Sequence, residues 1–531
     1  MIQQDSNGIK LTEEEQIKQA GLTLDFDRIA RTGKMSKEQV LIAKWYGIYR
    51  SRQKGDHMVR VVIPAGHMTT THVRTIAHLA EKYAAGKVSF TTRQSAQYHR
   101  VQLQAIPKLL GELDKAGLTT FHGAGDVPRN VTACPWASIC QHRRFDVLPY
   151  AKQTAKLLSD SRDLDNLPRK YKVTFSGCAA GCGQPYVNCC GAIGIIRKNA
   201  QGAEETGFQV VIGGGMGSEP YAAQQLYSFV PAASVMKVAR AVGLLFNEQG
   251  DRTNRRHARL KYVVDRLGVE KCRQLLAPIY QREGIDTSAF ETNPVQDCGP
   301  EIPTRPLREI NPVDENRLCI QRIMLAKGEI ASTDLERIAE LADLYADGHV
   351  YSTNRQNLEL HGIDPSKRPQ LQKQLQTIGL WVDGFYGLRD IVTCVGTTYC
   401  PMALAGTHDL YDRLAKLVSD TKYEPIRDKI LINITGCPNS CGQYYIADIG
   451  LRGLRMRGPT GPVEGYEIRI GGTGTEFGKV LGDFKIDECK TVVKCILETF
   501  LEVCREKDYD SLAAHIRTEG IGLYQSISGS G

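Results

Sequence analysis

Two four-cysteine motifs decide the organisation of this chain. The first is Cys134-Pro-Trp-Ala-Ser-Ile-Cys140 followed by Cys178-Ala-Ala-Gly-Cys182, and the second is Cys394-Val-Gly-Thr-Thr-Tyr-Cys400 followed by Cys437-Pro-Asn-Ser-Cys441. Each cysteine of the second motif lies 259 or 260 residues after its counterpart in the first. Four thiolates are the ligand set of a cubane [4Fe–4S] cluster. The spacing therefore predicts a duplicated chain built around two metal sites.

The duplication extends beyond the cysteines. Residues 65–94 read AGHMTTTHVRTIAHLAEKYAAGKVSFTTRQ, and residues 327–356 read KGEIASTDLERIAELADLYADGHVYSTNRQ. In both copies, apolar residues at helical spacing (73–83 and 335–345) precede a glycine that would end the helix, Gly86 or Gly348. An alternating, strand-like run follows each glycine. Each half is thus predicted to hold a small βαβ-type module followed by a larger cysteine-bearing module.

The repeat also sets the expected domain boundaries in this chain of 531 residues, which is too long for one hydrophobic core. Residues 1–49 belong to neither repeat and are expected to wrap the surface. The first half comprises modules 50–118 and 119–285, the proline-rich stretch 286–314 is expected to link the halves, and the second half comprises modules 315–387 and 388–525. Residues 526–531 are interpreted as a flexible tail.

Composition narrows the class of protein. A hydrophobic content of 42% and a charged content of 24% are ordinary for a soluble globular protein, and no apolar run is long enough for a membrane span or a signal peptide. We therefore expect a cytoplasmic or stromal protein, where clustered cysteines bind metals rather than forming disulfides. The net charge of +8 favours anionic ligands and acidic partners. The absence of a long basic run argues against nucleic-acid binding.

The cysteines allow three interpretations. Paired structural zinc sites are one, but five residues separate the first two cysteines of each motif, which is wider than the two to four usual at zinc. Iron–sulfur clusters are the second and fit the spacing better. The third, packing as small buried hydrophobes, is preferred for the other eight cysteines: Cys189, Cys190, Cys272, Cys298, Cys319, Cys489, Cys495 and Cys504.

Beyond the cysteines, the chain resembles the sirohaem-dependent sulfite and nitrite reductases over nearly its whole length. The resemblance is carried by AKWYGIYRSRQ (43–53), FTTRQSAQYH (90–99), PRNVTACP (128–135), LPRKYK (167–172), IGGGMG (212–217) and TGCPNSCGQ (435–443). It implies an α+β fold with pseudo-twofold symmetry. Two ferredoxin-like half-modules and two larger modules of the sirohaem and [4Fe–4S] type would make up that fold.

The resemblance also implies how the cofactors are held. Cys394, Cys400, Cys437 and Cys441 would bind the cluster, and Cys441 would also ligate the sirohaem iron. Residues 251–261 resemble the family's basic helix that meets the sirohaem carboxylates, and Gly213–Gly217 is interpreted as a close approach of the backbone to the macrocycle rather than as a dinucleotide loop. The cofactor contacts implied are Asn439, Gln97, His99, Arg255, Arg259, Lys261, Gly214 and Gly215.

Four cations are implied as the substrate-binding set: Arg93, Arg129, Lys170 and Lys172. A small oxyanion on iron needs positive groups that stabilise its charge and supply protons as oxygen leaves as water. Lys170 and Lys172 are two residues apart, so a strand would point both toward one face. In the family, lysine at the place of Lys172 tends to accompany sulfite reduction, and asparagine tends to accompany nitrite reduction.

The chain departs from many single-chain members because both halves keep the complete cysteine motif. Cys134, Cys140, Cys178 and Cys182 would hold a second cluster, and a second sirohaem stays open as an alternative. The symmetry-related cations are Arg355, Arg389 and Lys429, whereas Leu431 replaces the counterpart of Lys172. We therefore expect one active site and one degraded site.

The functional prediction is the six-electron reduction of sulfite to sulfide, with electrons from an external donor such as an acidic ferredoxin because no flavin or NADPH motif is visible. Reduction of nitrite to ammonia on the same cofactors is the chief alternative. A corrin-ring oxygenase of cobalamin synthesis and a two-cluster electron carrier are the others.

Overall fold

The computed structural model describes residues 11–21, 23–199, 201–302 and 318–529. Residues 303–314 of the predicted linker and residues 530–531 of the predicted tail lie outside the described residues; residues 526–529 form a 3-10 turn. None of the helices in the described parts of the chain combines the length and apolar character that a bilayer-spanning helix requires.

The N-terminal residues form three short helices: α1 (Glu13–Ala20), α2 (Phe26–Thr32) and α3 (Lys37–Ala43). A side chain caps each at its first turn, from Thr12, Asp25 and Ser36. The buried ammonium group of Lys18 donates to Asp126 Oδ2 at 3.3 Å and to the Leu167 carbonyl at 3.1 Å. These contacts fasten α1 to the first cysteine-bearing module.

Both ferredoxin-like modules contain a helix that the sequence predicts. The first module comprises β1 (Ile48–Arg50), β2 (Asp56–Val61), β3 (His67–Thr69), α4 (Thr70–Tyr83), β4 (Lys87–Phe90), β5 (Ala96–Gln102) and α5 (Ile106–Lys115). The second, numbered after the intervening module, comprises β11 (Cys319–Ile323), β12 (Glu329–Ala331), α9 (Ser332–Tyr345), β13 (His349–Ser352), β14 (Leu358–Ile363) and α10 (Arg368–Thr377). Gly86 and Gly348 follow α4 and α9 with φ of 71° and 76°, so both predicted helix ends are confirmed.

The two cysteine-bearing modules repeat one another as well. The first comprises β6 (Thr132–Ala133), α6 (Leu148–Asp160), β7 (Val173–Ser176), β8 (Cys190–Lys198), β9 (Glu204–Ile212), β10 (Gln224–Pro231), α7 (Val235–Gln249) and α8 (Leu260–Arg282). The second comprises β15 (Val392–Thr393), α11 (Gly396–Tyr399), α12 (Thr407–Val418), β16 (Ile432–Thr435), β17 (Ile449–Gly458), β18 (Gly461–Ile470), β19 (Lys479–Lys485), α13 (Ile486–Glu506), α14 (Leu512–Glu519) and α15 (Gly522–Gln525).

The sheets of the two cysteine-bearing modules have matching topology. The first has the order β10-β9-β8-β7-β6 and the second β15-β16-β17-β18-β19. In both, the three strands nearest the cysteines pair in parallel and the outer strands pair antiparallel. The first and third cysteines of each motif directly follow the short parallel strands, so the sheet brings them to one edge.

The two ferredoxin-like modules exchange strands. β12 from the second half joins the first sheet beside β4, and β3 from the first half joins the second sheet beside β13. One continuous hydrophobic core, including Ile76 and Ile338 on the packed helices α4 and α9, spans both modules. The halves are therefore interlocked, and the pseudo-twofold arrangement predicted from the sequence is confirmed.

Candidate functional site

The cysteine motif of the second half lies in tight loops. Gly436 donates its N–H to Cys394 Sγ at 3.2 Å, and Thr435 Oγ1 lies 3.9 Å from the same sulfur. Such donors stabilise a thiolate. Gly442 follows Cys441 where a Cβ atom would lie 2.0 Å from the Ile434 carbonyl oxygen, so only glycine fits. The loop can therefore present the Cys441 thiol, which is exposed.

Residues of the first half hold this motif in place. The Arg52 N–H donates to the Tyr399 carbonyl at 2.8 Å, and Thr92 Oγ1 donates to the Cys441 carbonyl at 3.0 Å. His99 stacks on the Tyr399 ring with centroids 4.1 Å apart. The second-half cysteines and first-half side chains thus form one site.

The thiols of each motif lie close enough to influence one another. Burial raises the pKa of Cys394 to about 12 and that of Cys437 to about 11, and the nearby Cys441 adds to both shifts. Within the described ranges, no three His, Cys, Asp or Glu side chains converge as ligands of a single ion. Zinc would hold its thiolates about 2.3 Å from one point. A cubane cluster instead spreads its four thiolates over four iron atoms.

Six cations lie near one another, and the charge of Cys441 acts on two of them, Arg60 and Lys170. We call this set the cation face: Arg60, Arg93, Arg129, Lys170, Lys172 and Arg259. The arginines donate to neutral acceptors, for example Arg93 to Asn188 Oδ1 at 2.8 Å and to the Val173 carbonyl at 2.9 Å. Arg129 Nε donates to the Gly125 carbonyl at 3.0 Å. Among the described residues, none of the six forms an ion pair with a carboxylate, and neither lysine ammonium group has a hydrogen-bond acceptor.

Burial and mutual repulsion lower the pKa values of several cations in the cation face. Burial, followed by the charges of neighbouring cations, lowers the pKa of Arg93 to about 9 and that of Lys170 to about 7. Burial and the charges of Arg93, Lys170 and Arg259 lower the pKa of Lys172 far below its usual range. Packing like charges in a desolvated place is unfavourable unless an anion compensates them. The arrangement therefore indicates an anion-binding site.

Several buried donors at the site also lack acceptors. Arg93 Nε, Arg259 Nε and both ring nitrogens of His99 are buried without a hydrogen-bond partner. Buried polar atoms in proteins are normally satisfied. Burial lowers the pKa of His99 to about 3, so its neutral ring has a single N–H. An anionic group with several oxygens would accept from the two arginine donors and this N–H, so the residues present fit sirohaem, which carries many carboxylates.

A glycine loop after β9 forms one wall of the site. A Cβ atom on Gly215 would lie 2.6 Å from the Arg259 guanidinium, and one on Gly214 would lie 2.3 Å from the Tyr186 carbonyl oxygen. Arg259 Nη1 donates to the Met216 carbonyl at 2.7 Å. The backbone therefore lies directly against Arg259, at the place where the sequence predicts a close approach to the macrocycle.

The structure leaves some predicted cofactor contacts outside the cation face. Arg255 forms ion pairs with Asp126 at 2.7 Å and Glu14 at 2.8 Å, and the Lys261 ammonium donates to the Glu219 carbonyl. The predicted basic helix over 251–261 is wrong, because residues 251–259 form turns and α8 begins only at Leu260. The Asp251 carboxylate accepts the N–H groups of residues 253 and 254, which stabilises a turn instead of a helix.

Gln97 and Asn439 lie beside groups that the sequence places at the site. With its amide oxygen turned toward Arg60, Gln97 accepts from Arg60 Nε at 2.9 Å and Nη2 at 2.5 Å. The Asn439 side chain hydrogen-bonds to the Cys437 thiol and lowers its pKa, against the larger effect of burial.

Sequence reasoning missed Arg60 and Cys189. Arg60 lies on β2 between buried valines, and the nearby Cys441 and Cys400 are among the groups that act on its pKa, which burial lowers. An arginine between apolar residues of a strand is the sequence feature that could have identified Arg60 as a site residue. Cys189, interpreted from sequence as an inert hydrophobe, lies 3.6 Å from Arg259 Nη2. Burial raises the pKa of its thiol, but Arg259 and Lys172 lower it further, so the net shift is downward.

The first-half cysteines also come together. Cys134, Cys140, Cys178 and Cys182 line one pocket. The second-half cations equivalent to Arg93, Arg129 and Lys170 differ from the cation face, because each of them lies near a carboxylate. Arg355 pairs with Asp390, Lys429 pairs with Asp508, and Arg389 lies about 4 Å from Asp383 and Glu424.

Comparison with known proteins identifies the class. The nitrite and sulphite reductase 4Fe-4S domain matches residues 124–282 and 386–517, and the nitrite/sulfite reductase ferredoxin-like half domain matches residues 49–116 and 314–378. The chain belongs to the sirohaem-dependent nitrite and sulfite reductase family, as its motifs predict. Membership implies an oxidoreductase that uses sirohaem and a [4Fe–4S] cluster.

Individual relatives include both kinds of reductase. The assimilatory ferredoxin-dependent nitrite reductase of Haloferax mediterranei is 30% identical, over 81% of this chain and 76% of its own. The sulfite reductase [ferredoxin] of Mycobacterium tuberculosis is 27% identical, over 93% and 92%. The structure of the Mycobacterium tuberculosis NirA protein has a TM-score of 0.84 at 26% identity and covers 96% of both chains.

Proposed function

We propose that this protein reduces sulfite to sulfide at one site, formed by the second-half cysteines and the first-half cation face. The observation that supports it most strongly is the set of six half-buried cations without carboxylate partners, two of which, Arg60 and Lys170, feel the charge of Cys441. Sirohaem and its cluster, held by Cys394, Cys400, Cys437 and Cys441, would supply electrons one at a time.

The chain's own residues would bind the oxyanion and provide protons. Arginines suit the first task because they remain charged and donate several hydrogen bonds in a fixed plane. Arg60 joins the predicted Arg93 and Arg129 in this role, since the charge of Cys441 acts on it. Lys170 suits the second task, because a group whose pKa is about 7 can both release and regain a proton near neutral pH.

Nitrite reduction to ammonia is the second candidate, because the Haloferax mediterranei relative is a nitrite reductase. Lys172 favours sulfite. A lysine adds a cation and a donor for a dianion, whereas nitrite carries one charge and fewer oxygen atoms.

The test of substrate choice is the ratio of kcat/KM for sulfite to kcat/KM for nitrite. We expect Lys172→Asn to lower that ratio at least tenfold, mainly through loss of sulfite reduction. Lys156→Asn, at an exposed lysine on α6 whose partner is Asp160, is the control and should not change it. An unchanged ratio in Lys172→Asn would remove this residue as the basis for preferring sulfite.

The electron donor we propose is a small acidic ferredoxin. The ferredoxin-dependent relatives support this, as does the net charge of +8. Since attraction between opposite charges weakens with salt, the KM for ferredoxin should rise as ionic strength increases while the KM for sulfite changes much less. A KM for ferredoxin that is independent of salt would contradict an electrostatic docking surface.

A further inference from the structure

We propose that the first-half cysteine pocket binds a second [4Fe–4S] cluster and that this cluster has no sirohaem beside it. The inference deepens the proposed function, since it assumes that the cation face serves the sirohaem-bearing site. The second-half cysteines would then serve the catalytic centre, and the first-half cysteines would hold an additional one-electron site.

The pocket itself supports a cluster. All four cysteines of the first motif face the same space, together with Trp136, Ala137 and Gly177. The Trp136 indole N–H is anchored on the buried Glu359 carboxylate at 3.0 Å, so this wall of the pocket is fixed. The lining also includes Ala180 and one cation, Arg143, whose guanidinium donates to the Cys140 carbonyl at 3.2 Å.

Carboxylates neutralise the place where a second sirohaem would sit. Arg355 Nε lies 2.6 Å from Asp390 Oδ2, and both side chains are almost fully buried, at 7% and 2% exposure. Lys429 forms an ion pair with Asp508. The cations that could meet sirohaem carboxylates are therefore already compensated within the chain.

Two sequence differences between the halves produce this neutral face. Asp390 stands at the position of Asn130, and Leu431 stands at the position of Lys172. Leu431 packs against the hydrophobic core that contains Tyr386. A polycarboxylate brought here would meet a paired arginine and an apolar side chain instead of free cations.

A third difference adds another acid. Asp448 occupies the position of Cys189 and is 4% exposed. Its carboxylate accepts the N–H groups of Leu431 and Ala513, both at 2.9 Å. A buried carboxylate held in this way repels anionic ligands. A [4Fe–4S] cluster needs the four thiolates but none of these cations, so it remains compatible with the first-half pocket.

A polar bridge joins the two cysteine motifs. Gln184 lies two residues after Cys182, and Gln443 lies two residues after Cys441. Gln184 Nε2 donates to Gln443 Oε1 at 2.9 Å, and Gln443 Nε2 donates to Gln184 Oε1 at 2.7 Å. The additional cluster would therefore be linked to the catalytic motif through a short stretch of backbone and one reciprocal amide pair.

The test counts sirohaem and iron in protein purified without oxygen. We expect one sirohaem and about nine irons per chain, since each cluster has four and sirohaem has one. Cys178→Ser should lose about four irons and one cluster signal in the electron paramagnetic resonance spectrum of the reduced protein, while keeping the sirohaem absorbance. Its symmetry-related variant, Cys437→Ser, should lose the sirohaem absorbance. Cys190→Ser, at a buried cysteine outside the pocket, controls for damage to folding.

The outcomes separate this inference from the proposed function. One sirohaem with about five irons would overturn the second cluster, and two sirohaems would overturn its haem-free character. No sirohaem with about eight irons would contradict the proposed function but support the second cluster. If Cys178→Ser fails to fold, the wild-type protein decides the question. Two reduced-cluster signals and about nine irons would support the second cluster, whereas one signal and about five irons would overturn it.

Discussion

At the scale of single residues, Asn130 and Asp390 occupy equivalent positions in the two halves but act differently on the neighbouring arginine. Asn130 donates to the backbone carbonyls of Ile63 and Arg93, and leaves the Arg93 guanidinium without a carboxylate neighbour. Asp390 instead binds the Arg355 guanidinium directly. This amide-to-acid difference leaves Arg93 without a carboxylate partner and gives Arg355 one.

Replacing Asn130 by aspartate should make the first half resemble the second. We expect Asn130→Asp to pair with cations of the face and to lower kcat/KM for sulfite at least tenfold, with weaker retention of sirohaem. Asp390→Asn is the reciprocal control, and it should destabilise the fold by about 3–5 kcal/mol because it breaks a buried ion pair. Sirohaem content after purification and thermal unfolding distinguish the two effects. Normal sirohaem retention and activity in Asn130→Asp would contradict the electrostatic account.

Lys170 should set an alkaline limit on activity. Its ammonium group loses its proton as pH rises through about 7 in the protein alone, and a bound anion moves this pKa upward. We therefore expect kcat/KM for sulfite to fall on the alkaline side of neutrality, and Lys170→Arg to move that fall to higher pH. A pH profile with the same alkaline limb in both proteins would exclude Lys170 as its origin.

The same shift affects stability. Because the folded pKa of Lys170 lies below the 10.5 of an unperturbed lysine, the unfolded chain binds more protons between about pH 7 and 10.5. In protein without cofactors, Lys170 should therefore make the free energy of unfolding rise with pH across this window. Lys170→Met should reduce that rise, as measured by urea unfolding at several pH values. An identical slope would argue against a lowered pKa.

At the scale of elements, the loop after β9 is where the backbone meets the cation face. Gly214 and Gly215 are adjacent, but the atoms that limit them differ: backbone for Gly214 and the mobile end of Arg259 for Gly215. A side chain at position 214 would clash with backbone atoms, whereas a side chain at position 215 would displace the Arg259 guanidinium.

This contrast gives a matched pair of variants. Gly214→Ala should destabilise the fold by about 3 kcal/mol or more, because backbone must shift. Gly215→Ala should retain nearly the wild-type melting temperature but bind sirohaem more weakly, because Arg259 is displaced. Thermal unfolding and sirohaem absorbance measure the two effects. Equal loss of stability in both variants would show that Arg259 is not the limiting contact.

Local patterns predicted some elements and failed for others. Apolar residues at helical spacing and a following glycine were enough for α4 and α9, since these helices bury one face against each other. The helix expected over 251–261 rested on a resemblance and on charge, and the turn formed by Asp251 prevails there. Arg60 escaped notice because strand periodicity does not say which polar side chain inside an apolar run faces a site.

At the scale of the whole molecule, the exchanged strands β3 and β12 bind the two halves together. Long-range strand pairing has no local signature, so the repeat predicted pseudo-twofold symmetry without predicting the exchange. Nor could the sequence show that carboxylates from other elements neutralise Arg355 and Lys429, because Asp508 lies far from Lys429 along the chain.

Because strands β3 and β12 are exchanged between the halves, cleavage of the chain between the halves should not separate them. A protease site inserted between residues 302 and 318 should yield two fragments that remain associated during size-exclusion chromatography without denaturant. Shared sheets and a shared core would hold them together. Urea should separate them in the same transition that unfolds the protein. Fragments that separate in native buffer would contradict the interlocked arrangement.

If one half of the molecule catalyses sulfite reduction and the other does not, equivalent cysteine variants in the two halves should differ in turnover. Sulfite turnover should be abolished in Cys441→Ser, whose sulfur lies at the cation face, and mostly retained in Cys182→Ser, its counterpart in the neutral half. Both variants should be assayed with the same reduced ferredoxin and normalised to folded protein. Equal losses of turnover in the two variants would contradict the asymmetric site.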